Sequence, residues 1–274
     1  MKLYFPIIVC ITLSLAPASH GGSLCPTAGN HERWAVKTSA DPSAPIDVSI
    51  DTLLKLEVPS KAEAEAFRTG KSKGLIPESF NSTFEGKPIS LKEGQIVRLE
   101  GWLHLANFDT GDSDYHLQLT SDAGACPSDK TPGCLIVEIP SDVCAADSSK
   151  AKRWAFLASR QMLDHKFAGL PAQKALNKGA TASDSGHKGD IPVKPIHVEV
   201  QGQLFFDTSH YPTPGKPGGG RGKNGCSALG VWEIHPVTAI VVLDDGGNAV
   251  ASSHSFMPQR LRKPLGELTR RPIH

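Results

Sequence analysis

The chain has 274 residues, with 29 Lys and Arg against 28 Asp and Glu, for a net charge of +1. That length supports one domain of ordinary size with a real core plus loops. The charge balance excludes the broad basic excess of a general nucleic-acid binder and the acidic excess of a disordered chain.

Met1-Lys2, an apolar run over residues 3–15 and Ala16-Pro17-Ala18 have the layout of a secretory signal peptide. The run is shorter than the roughly 20 apolar residues that span a bilayer. We expect residues 1–18 to be a leader cleaved after Ala18, and the mature protein to be soluble and exported, periplasmic or extracellular. Residues 19–33 are polar and Gly/Ser-containing, and are expected to be mobile. Five cysteines follow the leader: Cys25, Cys126, Cys134, Cys144 and Cys226. An oxidising compartment permits disulfides. Cys126 and Cys134 are the favoured pair, because Pro132-Gly133 lies in the short turn between them.

Residues 34–88 are expected to form an N-terminal segment packed on the main domain. Residues 34–43 look extended. Ile50, Leu53 and Leu54 predict one or two helical turns within 47–56. Ser60 and Glu63 fit a capping box, in which each satisfies the other's backbone donor, so a short helix should run to Phe67. Strands are predicted at 96–105, 115–120, 135–139, 198–207 and 231–243 from alternating apolar and polar residues. Trp154, Ala158 and Met162 recur every four residues within an amphipathic helix over 148–167. Residues 171–195 and 211–230 read as loops, and 246–274 as a basic tail. Five strands with a helix between the third and fourth is the element order of an OB-type barrel. The expected fold is therefore mainly β over 89–245: a five-stranded OB-like barrel or antiparallel sheet, with one inserted helix and short N-terminal helices. Leu117, Val137, Leu204 and Ile234 should lie inside, and His116, Glu138, Gln203 and Glu233 on the other face.

The polar strand positions are acids and imidazoles. Asp112, Asp114, His116, Glu138, Asp207, His210, Glu233 and His235 supply the donor types of a His/carboxylate metal site, which needs three or four of them around one point. The same residues could instead line the solvated face of an antiparallel sheet. His116, Glu138 and His235 are the first to test. The sequence establishes no cofactor, and a divalent metal is the one this residue set would take.

Other motifs are weaker. The stretch 215–224 (GKPGGGRGKN) fails as a phosphate loop, with Pro217 at a required glycine and Asn224 in place of Ser or Thr. Lys216, Arg221 and Lys223 read as a solvated basic loop. With the tail arginines they are the residues that could touch nucleic acid or another polyanion, but few aromatics accompany them. No serine or cysteine nucleophile signature is present.

Taken in order, WAVKTSAD (34–41), DSDYHLQL (112–119), IVEIP (136–140), VEVQGQLFFDTSH (198–210) and WEIHPVT (232–238) resemble a family of exported bacterial proteins without an assigned activity. The resemblance covers most of residues 34–240 and implies a small OB-like β domain. It brings no catalytic residues, and the Gly-rich stretch after His210 is longer than the family pattern leads us to expect. The resulting expectation is an exported binding or accessory module with an unidentified ligand. The alternative is a metal-dependent hydrolase, acting on phosphodiesters for example, that uses the His/Asp/Glu face.

Overall fold

The computed structural model describes residues 33–39, 43–69, 74–108, 114–124, 133–141, 155–160, 163, 195–223, 226–244 and 246–250. Asp112, Cys126, Trp154 and Met162, and the leader and tail, lie outside them.

Five strands close into a barrel: β4 (Ile96–Phe108), β5 (Tyr115–Thr120), β6 (Cys134–Ile139), β7 (Ile196–Phe206) and β9 (Cys226–Val242). The ring order is β4-β5-β6-β9-β7, and β7 pairs back to β4. The β6–β9 pair is parallel, and the other four pairs are antiparallel. This is the OB arrangement, so of the two expected forms the closed barrel is correct. Two short strands add to it, β1 (Ile46–Asp47) on β4 and β8 (Gly222–Lys223) on β9.

Register explains the core. Leu117 pairs with Val137, Val137 with Ile234, and Leu204 with Ile234. Paired residues share a face, and all four are fully buried, as expected. Trp232 and Phe206 close one end of this interior, with ring centroids 5.1 Å apart, and Trp232 Nε1 donates to the Glu57 carbonyl at 2.8 Å. At the other end residues 155–160 are helical. Arg160 lies 4.3 Å over the Tyr115 ring and donates to the Ile139 carbonyl.

The N-terminal segment departs from the sequence reading at its start. Residues Trp34–Lys37 form a helical turn, α1, rather than an extended run. Four residues are too few to carry a periodic signal, and the turn is held by contacts from the barrel. Gln203 Nε2 donates to the Val36 carbonyl at 2.9 Å, and Arg33 pairs with Glu93. The next two helices follow expectation. Helix α2 (Ile50–Leu54) is capped by Ser49, and α3 (Lys61–Arg68) by the complete Ser60/Glu63 box. A separate hairpin, β2 (Ser79–Phe84) with β3 (Lys87–Lys92), was not predicted; it turns at Glu85-Gly86, both at positive φ. Among the described residues no helix is long and apolar enough to cross a membrane.

Candidate functional site

The residues between the inward-facing ones lie on the barrel's outer face. His116 pairs with Glu138 across β5 and β6, and Glu233 pairs with Ile136 and Phe205. A solvated face would leave them wet. Instead His235 is fully buried, Glu233 is 1% exposed, Gln203 2%, Asp114 4% and Asp207 5%. The solvated-sheet reading is therefore corrected. The reason is that α1 and the loop after β7 are packed against this face.

His235 sits at the centre. Its Nδ1 lies 2.9 Å from Glu138 Oε2 and 3.2 Å from Glu233 Oε1, and its Nε2 lies 3.3 Å from Asp114 Oδ2. Glu138 Oε1 is 2.9 Å from His116 Nδ1. Glu233 Oε2 accepts a hydrogen bond from Arg221 Nη1, which also donates to Asp207 Oδ2 at 3.1 Å. Asp207 Oδ2 in turn meets His210 Nδ1 at 2.6 Å. Acids and bases thus alternate without a break from His116 to His210. Asp207 Oδ1 accepts from Ser209 N and so caps the 3-10 turn Thr208–His210 that carries His210.

Seven of the eight candidate residues are described, and all seven belong to this chain of contacts. Asp112 lies outside the described residues. Two cations were missed as members. Arg221 was read as part of a solvated loop, but it is 9% exposed and held by two carboxylates. The glycines beside it provide the signal in retrospect. A Cβ on Gly219, at φ +64°, would stand 2.1 Å from the His210 carbonyl oxygen, so this loop can lie tight on the barrel only without side chains there. Lys37 comes from α1, and its Nζ lies 5.7 Å from the centroid of Phe205. The Phe205 and His235 ring centroids lie 5.6 Å apart, with the rings steeply tilted to one another.

The charges shift one another. Burial lowers the His235 pKa, but the three carboxylates around the ring, Asp114, Glu138 and Glu233, outweigh it and raise it well above the ordinary imidazole value. Burial disfavours the charged form of Glu138, yet hydrogen bonds from His116 and His235 hold its pKa well below the usual range. Asp207 is likewise lowered, with Arg221 and His210 outweighing burial. Burial opposes the charge on Lys37, and the field of Glu138, Asp207, Glu233 and Asp114 more than restores it.

Asp114, Glu138 and His235 each place one ligand atom within 4.8 Å of the other two, so this buried group can hold a metal ion. Of the favoured cysteine pair, Cys126 lies outside the described residues. Cys134 is a buried thiol, in an apolar cluster with Ile136 and Ala228.

Fold and site together define an OB-type barrel with a buried Asp/Glu/His group on its outer face. No family model, curated protein or solved structure matches the chain.

Proposed function

We propose that this is an exported OB-type binding module that holds a divalent metal ion between Asp114, Glu138 and His235. One observation carries the reading. His235 Nε2 is buried and lies 3.3 Å from Asp114 Oδ2, but not on the line a hydrogen bond requires, so it has no hydrogen-bond partner among the described residues. That separation is the edge of a tetrahedron with bonds of about 2.0–2.1 Å, the length of zinc–nitrogen and zinc–oxygen bonds. A divalent ion there replaces the proton that three carboxylates hold on His235. Glu233 then keeps Nδ1 and fixes the ring, and His116 fixes Glu138, as groups behind metal ligands do. The site also lies where OB barrels bind, on the second and third barrel strands and the loop between the fourth and fifth. Export and kinship with the exported bacterial family belong to this reading, supported by the leader pattern and the motifs quoted above.

Three protein ligands leave a coordination position open, which is the pattern of catalytic zinc sites. That favours, as a second reading, a hydrolase in which the ion activates water.

The test is calorimetric titration of zinc, manganese and calcium into the wild type, His235→Ala and Asp114→Asn. One ion per chain is expected to bind the wild type with micromolar affinity or better, and each substitution should remove that binding while circular dichroism stays unchanged. Binding no stronger than millimolar for all three ions would rule the reading out. Turnover of bis(p-nitrophenyl) phosphate by the loaded wild type, absent in His235→Ala, would select the hydrolase.

A further inference from the structure

A cavity of about 250 Å³ opens between α3 and the 3-10 turn Thr208–His210. Pockets for drug-sized ligands run to roughly 300–1,000 Å³, so this one has room for something smaller. Both of its walls are fixed. The Ser60/Glu63 box holds the start of α3, and Asp207 Oδ1 caps the turn by accepting from Ser209 N. Tyr211 ties the two walls together, its hydroxyl donating to the Pro59 carbonyl just ahead of α3 at 3.2 Å. The cavity therefore has its shape before anything enters it, as small-molecule sites mostly do.

Two of its lining groups have bonding capacity left over. The cavity is lined by Lys61, Glu65 and Arg68 on one wall and by Thr208 and Tyr211 on the other, with Ala64 buried between the α3 charges. Arg68 is already engaged, since its Nε and Nη2 donate to the two Glu65 carboxylate oxygens at 2.8 and 2.5 Å. Those two charges offset each other. Lys61 is exposed, and its ammonium has no ion pair or hydrogen bond among the described residues. One positive charge at the cavity is thus unmatched. Thr208 is only 3% exposed, yet its hydroxyl makes no hydrogen bond among the described residues. A buried hydroxyl without a partner is costly, and the space it lines is this cavity.

We infer that the cavity is a second binding site, for a small organic monocarboxylate. One carboxylate oxygen meets Lys61 Nζ, the other accepts from Thr208 Oγ1, and the apolar part of the molecule lies against Ala64 and the Tyr211 ring. A single negative charge matches the single unmatched cation. A phosphate dianion would bring its second charge toward Glu65, and a neutral molecule would leave Lys61 unmet. The site shares no residue with the metal reading and does not depend on it.

Benzoate is the probe, titrated into the metal-free wild type, Lys61→Gln and Thr208→Val and followed through backbone amide shifts. Benzamide, its neutral counterpart, and inorganic phosphate are the comparison arms. Benzoate should bind the wild type with millimolar affinity or better, with the largest shifts at Ala64, Thr208 and Tyr211. Lys61→Gln should weaken it about tenfold or more. Thr208→Val, which keeps the shape and loses the hydroxyl, should weaken it several-fold. Lys61 is exposed, so its replacement leaves the fold intact, and Lys87→Gln, at an exposed lysine of the β2–β3 hairpin, should bind as the wild type does. No saturable shift at the cavity residues, equal benzoate binding by either cavity variant, equal binding of benzamide, tighter binding of phosphate, or an equal loss in Lys87→Gln would each overturn the inference.

Discussion

Arg33 and Glu93, 60 positions apart, meet in a buried two-point ion pair, Nη1 to Oε1 at 2.8 Å and Nη2 to Oε2 at 2.5 Å. Each makes further bonds. Arg33 donates to the Phe206 and Gly74 carbonyls, and Glu93 accepts from Ile76 N and Phe206 N. The guanidinium also lies 4.9 Å over Phe205. This pair ties α1, and with it Lys37, to the barrel. Removing one partner leaves a buried charge uncompensated, so Arg33→Met should cost about 3–5 kcal/mol in chemical denaturation. A loss under about 1 kcal/mol would show that α1 is not docked in this way.

His210 and Asp207 predict a pH dependence of stability. The hydrogen bond to Asp207 raises the His210 pKa above 6.5 against the effect of burial. A raised folded-state pKa contributes stability that is fully present below the unfolded value and is lost as pH rises through the folded one. Asp207 is depressed, so its contribution is present above 3.8 and is lost as pH falls through its folded value. Wild type and His210→Ala should therefore differ most between about pH 4 and about pH 6.5 and converge on the alkaline side. Thermal midpoints measured from about pH 5 to about pH 9 check this, and a constant difference across that range would refute it.

His116 is a positioning residue for Glu138 under the metal reading. His116→Ala should weaken metal affinity about 10–100-fold, with one ion per chain still bound. His116→Gln, which keeps a donor, should recover part of it. If both variants bind the ion as the wild type does, Glu138 is oriented without help.

Cys134 should be chemically silent in the native protein. Burial pushes its thiol pKa up to about 12, and reactivity follows the thiolate. Iodoacetamide at about pH 8 should leave Cys134 unmodified in the native state and label it in denaturant, as read by peptide mass. Rapid labelling of native protein would place the thiol at the surface.

The barrel was legible because its interior demands an unbroken apolar row on each strand, and Leu117, Val137, Leu204 and Ile234 supply it. The same alternation placed His116, Glu138 and Glu233 together on the opposite face. It could not say what covers that face. The covering comes from Lys37 in a four-residue helix and Arg221 in a Gly-rich loop, two segments without periodicity, and their distance along the chain from β5 and β6 hides the contact. The β2–β3 hairpin was missed for a local reason: Glu85-Gly86 is a less familiar turn pair than Asn-Gly or Asp-Gly.

Closure of the barrel has a consequence for assembly. The groups that meet at His235 come from positions 114, 138 and 233 of the chain, and Lys37 arrives from the far N-terminal side. Under the metal reading, Asp114, Glu138 and His235 come together only when β5, β6 and β9 have all paired. Such long-range pairing is slow to form. Under the metal reading, the coordination sphere is complete only once the barrel strands have paired, so ion affinity should report on closure of the barrel.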